Sequence, residues 1–209
     1  MQVRTPFPII NLILDHLTDI RFMRPPIEKP SESPMQFFTP ELFVRFNSPD
    51  EAQANQADED WEAAVANYRR HLEGLEDRMP SQVKRLTELS LHDTELLGMN
   101  EDVEPLPSSQ LEPFWFAIAI VSLKRDNELL SLIYVLWDRL REFAAPERWP
   151  FSDRRPHWLY DEIHQAPGHE GARFVHRVLL SDGRVFEIPF LTVLTQTVAL
   201  TAHTLQPSA

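Results

Sequence analysis

The sequence predicts an α+β fold in which an N-terminal acidic helical hairpin packs on a C-terminal antiparallel β-meander of about five strands. Three features of the 209-residue chain support this prediction. Residues 157–164, 174–180 and 184–190 have the composition and spacing of consecutive antiparallel strands. Residues 61–75 repeat apolar side chains at steps of four and three, as an amphipathic helix does. Residues 114–123 form a continuous apolar run, which is typical of a buried strand.

Residues 1–34 are predicted to be an N-terminal extension that ends in a proline-rich linker. Residues 24–34 contain four prolines in eleven positions, and proline at that density prevents a regular helix or strand. Met35 then opens a segment that would serve well as a protein start. We therefore expect residues 35–209 to form one compact domain.

Residues 35–98 are predicted to form the helical hairpin. Thr39-Pro40 and the capping box at residues 48–51 each place a capping side chain beside a proline that favours the first helical turn. The longer helix should end at Met79-Pro80, and a second helix should run from Ser81 to about Leu97 with Gly98 as its stop. Residues 99–113 carry three prolines and four acids, which indicates an acidic connection to the β-region at 114–209.

The segment 128–142 allows two interpretations. Its leucines fit a helix capped by Asn127, whereas the tight turn before it and the run from Leu132 to Val135 fit the second strand of a hairpin. We favour the strand, because the apolar strand at 114–123 otherwise lacks an evident neighbour.

The turn at Ser181-Asp182-Gly183 sets the register of the last two strands. A three-residue loop with Gly183 in the left-handed conformation places Leu180 opposite Arg184 and sorts apolar from charged residues. Arg177 then lies directly opposite Glu187. The apolar set predicted to share one face comprises Phe174, Val178, Leu180, Phe186, Ile188 and Phe190.

A symmetric closure of the loop at 166–172 extends this register to the preceding strand. Asp161 would then face Arg177, and Glu162 would face His176. Cross-strand pairs of opposite charge stabilise the register of a sheet, so these residues are as readily explained by a structural role as by a binding site. The residues predicted to form a binding surface are Tyr160, Asp161, Glu162, His176, Arg177 and Glu187.

Three motifs resemble those of an uncharacterised bacterial family of small proteins. They are MQFFTPEL at residues 35–42, WLYDE at 158–162 and HRVLLSDG at 176–183. The resemblance covers roughly residues 35–192, and it implies a helical N-terminal half followed by a strand meander. It implies no activity.

Charge and composition favour a protein that binds another protein. The net charge is −12, and residues 35–112 carry 17 acids and 6 bases while the rest of the chain is nearly balanced. The negative electrostatic potential of this acidic region repels phosphate backbones and attracts basic partners, so we expect no nucleic-acid binding. With no cysteine, no signal peptide and apolar runs too short to cross a bilayer, we expect a cytoplasmic protein without membrane contact. An immunity or antitoxin-like role is one concrete form of this hypothesis.

A metal-dependent hydrolase is the alternative. His92-Asp93 is similar to the metal-binding pair of HD-type phosphohydrolases, and His71 and Asp138 are the residue types that would supply the two further ligands. Glu162 and His176 on one face would form a general base. A surface role for the first pair and a structural role for the second are the favoured interpretations, and no cofactor is expected.

Overall fold

The computed structural model describes residues 34–105, 115–151, 154–166 and 173–200, without the side chains of 103–105 and 115–116. These residues form three α-helices and seven β-strands, so the α+β class and the antiparallel sheet are confirmed. Residues 1–33 of the predicted extension at 1–34, residues 106–113 of the predicted connection at 99–113 and residues 167–172 of the loop at 166–172 lie outside the described residues. The prediction of a connection is wrong for residues 99–105, which belong to a strand. Within the described ranges, no helix has the length and apolar character to cross a membrane.

The helices begin at side-chain caps or prolines. Helix α1 spans Pro40–Phe46, and the Thr39 hydroxyl accepts a hydrogen bond from the Leu42 N–H at 3.1 Å, as the sequence predicts. Helix α2 spans Glu51–Leu75, but its cap is Asp50, two residues after the predicted Ser48. The Asp50 carboxylate accepts from two N–H groups of the first turn. A 3-10 turn at Glu76–Arg78 leads into helix α3, which spans Ser81–Thr87.

The prediction that the second helix of the hairpin continues to about Leu97 is wrong. The helix ends at Thr87, and Glu95–Pro105 forms strand β1. Leu96 and Met99 are three residues apart, a spacing typical of a helix, yet both pack against the core from one strand because the β-bulge between Leu96 and Gly98 adds one residue. Gly98 follows a β-bulge in β1 and does not stop a helix. Pairing with the apolar strand beside it outweighs the poor strand propensity of the acidic residues in β1.

All strand pairs of the sheet are antiparallel, and the strand order is β1-β2-β3-β7-β6-β5 with β4 on β7. After β1 the strands are β2 (Trp115–Arg125), β3 (Glu128–Leu136), β4 (Arg141–Phe143), β5 (Trp158–Gln165), β6 (Phe174–Leu180) and β7 (Val185–Ala199). The strand interpretation of 128–142 is therefore confirmed for β3. The start of β5 also meets β1, where the Trp158 N–H donates to the Thr94 carbonyl at 2.9 Å.

The register of β6 and β7 is confirmed. Arg177 pairs with Glu187, and the Leu180 N–H donates to the Arg184 carbonyl at 3.0 Å. Gly183 has φ +84°, the left-handed conformation that the turn requires. The six apolar residues predicted to share a face all belong to one buried cluster.

Replacing Gly183 with alanine should lower the free energy of unfolding by about 2 kcal/mol. A Cβ there would lie 2.5 Å from Trp149 Cδ2 and 2.9 Å from Ala145 Cβ, in addition to the left-handed strain. Urea unfolding measures the loss. Alanine at Gly74, whose Cβ meets nothing within 4 Å, is the matched control and should be neutral or stabilising; an equal loss at both positions would contradict the turn argument.

Two buried clusters lie on opposite faces of the sheet. The inner face, which carries Val178, Leu180 and Ile188, packs against α3 and the end of α2. The outer face of β5, β6 and the first part of β7 packs against residues 35–43 and α2 through an aromatic layer. Trp61, at the middle of that layer, lies 4.4 Å from Tyr160 between ring centroids. The polar residues described below lie in or between these clusters.

Candidate functional site

The six predicted binding residues divide between the two faces of the sheet. Arg177 and Glu187 form the expected pair on the outer face, with Nε 3.0 Å from the carboxylate. Arg141 of β4 contacts the same carboxylate at 3.4 Å. These side chains are partly exposed, so each pair contributes modestly to stability.

The predicted pairing of β5 with β6 is wrong by one residue. Glu162 pairs with Arg177, and His176 pairs with Ile163. A one-residue slip moves every side chain of a strand to the other face, so Glu162 shares the outer face with Arg177 while Asp161 shares the inner face with His176. The physical reason is Ile163, which the observed register buries completely in the inner cluster. Glu162 and His176 therefore lie on opposite faces of the sheet and do not form the predicted pair.

Glu162 holds the segment that precedes α1. Its buried carboxylate accepts hydrogen bonds from the backbone N–H groups of Gln36, Phe37 and Phe38, at 2.8, 2.6 and 2.6 Å. A fourth contact joins it to His164 Nε2 at 2.9 Å. Residues 35–38 belong to neither helix nor strand, so this carboxylate supplies partners that regular structure would otherwise provide.

These contacts lower the pKa of Glu162. Burial alone raises the pKa of this carboxyl, but the hydrogen bonds from His164 and from the three backbone N–H groups lower it by more. A carboxyl whose pKa is lower in the folded state than in the unfolded chain stabilises the fold at pH values above its unfolded pKa. This stabilisation is lost as the pH falls through the folded pKa. Glu162 is thus a charged anchor at neutral pH.

Two side chains of α2 occupy the free edge of β5. The Tyr68 hydroxyl accepts from the Ile163 N–H at 2.9 Å, and His71 Nε2 donates to the Ile163 carbonyl at 3.0 Å. Burial, followed by the nearby Asp161 charge, raises the pKa of Tyr68. An edge strand with open backbone groups is a template for unwanted pairing, and these bonds both close the edge at Ile163 and fix α2 along it.

His71 should make the fold less stable below about pH 6.5. Burial, and then the neighbouring His164 ring at 4.9 Å between centroids, lower the pKa of His71. The unfolded chain therefore binds the proton first, and the free energy of unfolding falls as the pH drops below the unfolded pKa. His71→Gln keeps a donor for Ile163 and removes the titration. Urea midpoints at pH 7.5 and 5.5 should differ less in this variant than in the wild type; an equal difference would contradict the assignment.

A chain of four hydrogen-bonded side chains crosses the inner cluster. The Tyr134 hydroxyl donates to His176 Nδ1 at 2.9 Å, and His176 Nε2 donates to Asp161 at 3.0 Å. The other Asp161 oxygen accepts from Trp158 Nε1 at 2.8 Å. Tyr134 and His176 are fully buried, and burial followed by the Asp161 charge raises the pKa of Tyr134. Both ring nitrogens of His176 are occupied, which is the arrangement of a structural histidine.

His92 and Asp93 lie outside the helices, in the turn before β1, with His92 Nδ1 2.9 Å from the Asp93 carboxylate. They line an open depression of about 450 Å³ together with Glu95, His157 and residues 124–126. The further ligands considered for a metal lie elsewhere, because His71 contacts Ile163 and Asp138 pairs with Arg141. Across the described residues, no three His, Asp or Glu side chains are grouped as metal ligands.

Several residues of this site were absent from the sequence prediction. Tyr134, Tyr68 and His164 each contact a predicted residue or its strand. His164 could have been found, because it lies two residues from Glu162 and so on the same side of the strand. The partners of Glu162 at residues 36–38 are backbone groups more than 120 positions away, and no side-chain pattern indicates them.

Comparisons of the chain with protein-family models, with curated proteins and with solved structures give no match.

Proposed function

We propose that this protein is a non-enzymatic binding module whose partner is a basic protein, and that the outer surface of α2 is the contact. The observation that carries the proposal is a row of acids on that helix. Glu51, Asp58, Glu59 and Glu62 recur at spacings of seven, eight and eleven residues from the first, which places them on one side of an α-helix. We call these four residues the acidic row.

The acidic row points away from the sheet. Its members are exposed, whereas Ala57, Ala64 and Leu75 on the opposite side of α2 are buried. Within the described part of the chain, none of the four forms an ion pair; the nearby Asp60 is instead paired with Arg45 at 2.8 Å. Unpaired carboxylates at this density attract a basic surface and raise its rate of association.

The fold supports the acidic row with a fixed platform. Tyr68 and His71 attach α2 to the edge of β5, and Trp61 packs on Tyr160. Glu162 attaches the segment before α1, which contacts α2 through Phe38 and Trp61. A surface that is rigid before binding loses less conformational entropy on association, so the polar residues of the sheet favour binding while remaining behind the contact surface.

The disposition of the sheet residues favours a binding role over catalysis. The carboxylate of Glu162 is occupied by three backbone N–H groups and a histidine, and His176 is bonded on both sides. An immunity or antitoxin-like role, in which the acidic row covers a basic site of a toxin, is the concrete form that this proposal takes.

The experiment is affinity capture from the native host with two matched triple variants. Asp58→Asn, Glu59→Gln and Glu62→Gln neutralise three of the four members of the acidic row, whereas Glu73→Gln, Asp77→Asn and Glu88→Gln remove the same charge from exposed positions outside it. The proposal predicts a basic protein that the wild type and the second variant retain, that the first variant loses, and that elutes with salt. Capture of acidic proteins alone, or capture that ignores the acidic row, would refute it.

A further inference from the structure

The edge of β1 that faces away from β2 is covered by the described residues only at its start. Residues 156–158 pair with that start, and the last of these contacts is the hydrogen bond from the Leu96 N–H to the Pro156 carbonyl at 2.8 Å. From Leu97 onward, no strand within the described ranges lies on this side of β1. The edge of β5 differs, because side chains of α2 occupy it at Ile163.

A groove of about 480 Å³ lies beside this edge. Its apolar lining includes Leu96, Leu97 and Met99 of β1, together with Leu140 and Phe186. Leu97 is 49% exposed, and the β-bulge in β1 leaves it as the extra residue with no partner in β2. The groove therefore offers apolar contacts to the side chains of any strand that pairs with this edge.

The charge of β1 selects the kind of strand that can pair there. The first eight residues of β1 contain three acids and no base, namely Glu95, Glu101 and Asp102. Glu142 and Arg184, which also line the groove, pair with each other at 3.1 Å, so Glu101 gives the lining a net negative charge. A second copy of β1 would bring like charges together across the strands, which destabilises pairing. A basic segment would instead form pairs of opposite charge.

We propose that β1 accepts an extended, basic segment of a partner protein as an additional strand, with apolar side chains of that segment in the groove. The added strand continues the pairing that residues 156–158 begin at Leu96, and a lysine or arginine of the segment pairs with Glu101. In this mode of recognition, main-chain hydrogen bonds supply affinity and alternate side chains supply specificity. The acidic row of α2 takes no part in this contact, so the two surfaces are tested separately.

Fluorescence anisotropy of a labelled peptide, titrated with the full chain up to about 1 mM, tests this contact. The probe is an octapeptide of alternating lysine and valine, which is basic and favours the extended conformation. We expect saturable binding to the wild-type protein. The same peptide with alternate backbone amides methylated should not bind, because methylation removes the donors needed for strand pairing. A peptide with glutamate in place of lysine should not bind either.

Leu97→Lys and Val198→Lys form a matched pair of protein variants. Both replace an apolar strand residue that is about half exposed, at 49% and 50%, and both add the same charge. Leu97→Lys should weaken binding of the lysine–valine peptide about tenfold, because it removes an apolar contact and repels the peptide's lysines. Val198→Lys should leave the affinity unchanged. Leu97→Thr, which keeps strand propensity and adds no charge, should weaken binding about threefold, and circular dichroism checks that each variant folds.

Each outcome decides the question. Binding that is lost on methylation of the peptide and weakened by the Leu97 variants alone would support strand addition at β1. A wild type that does not bind the lysine–valine peptide at the highest concentration would overturn it. Equal binding of the methylated peptide, or equal weakening by Leu97→Lys and Val198→Lys, would also overturn it, since either result is that of simple charge attraction.

Discussion

Replacing Glu162 with glutamine should lower the free energy of unfolding by about 3–5 kcal/mol. The carboxylate is fully buried and accepts three backbone N–H groups. Hydrogen bonds to a charged acceptor contribute about 1.5–3 kcal/mol each. Glutamine keeps one oxygen, but its amide nitrogen would point donor hydrogens at donor N–H groups. At least one of the three backbone N–H groups would lose its acceptor.

Urea unfolding at pH 7 measures this loss, and Glu187→Gln is the matched control. Glu187 is a carboxylate on the same face whose side chain is 14% exposed and pairs with Arg177. Its removal should cost about 1 kcal/mol or less. The wild-type advantage over the Glu162 variant should also shrink below about pH 4.5, since protonation of the carboxylate removes the same contacts. Equal costs for the two variants would refute the anchor role.

Replacing His176 with leucine should lower the free energy of unfolding by about 3–4 kcal/mol. The substitution fills a similar volume but leaves the Tyr134 hydroxyl without its acceptor in a fully buried site. Asp161 loses one of its two donors and retains Trp158. The cost comes from the stranded hydroxyl and from the carboxylate that faces the new apolar side chain.

A double-mutant cycle separates the hydrogen-bonded chain from simple packing. Tyr134→Phe alone should cost about 1–2 kcal/mol, because it leaves the His176 Nδ1 atom without a partner. The double variant Tyr134→Phe/His176→Leu should lose less free energy of unfolding than the two single variants lose together, by about 1 kcal/mol or more. Strict additivity in urea unfolding would contradict the coupling between Tyr134 and His176.

The strand registers differ in how far the sequence determines them. Gly183 fixes the β6–β7 register, because a tight turn with a left-handed glycine allows few pairings of the strands around it. The loop between β5 and β6 has no such constraint, and symmetric closure is only one of its solutions. The register there follows the burial of Ile163 in the inner cluster, a tertiary requirement that local pattern does not reveal.

The candidate site was predictable only where a local turn fixes the strand register. The Arg177–Glu187 pair follows from the turn and was found. The correct partner of His176 depends on the register that was missed, and the role of Glu162 depends on a backbone segment brought to it by the fold. Strand β1 was missed because the three-residue step from Leu96 to Met99 is typical of a helix, and the β-bulge that brings both side chains to one face of the strand has no local signal in the sequence.

Amide hydrogen exchange at Gln36, Phe37 and Phe38 tests most directly the claim that Glu162 serves the fold by holding the platform behind α2. These three N–H groups lie outside regular structure and donate to one carboxylate. We expect them to exchange as slowly as amides of the central strands in the wild type, and to lose that protection in Glu162→Gln while β2 and β3 keep theirs. Exchange of all three at the rate of an exposed loop in the wild type would contradict the account.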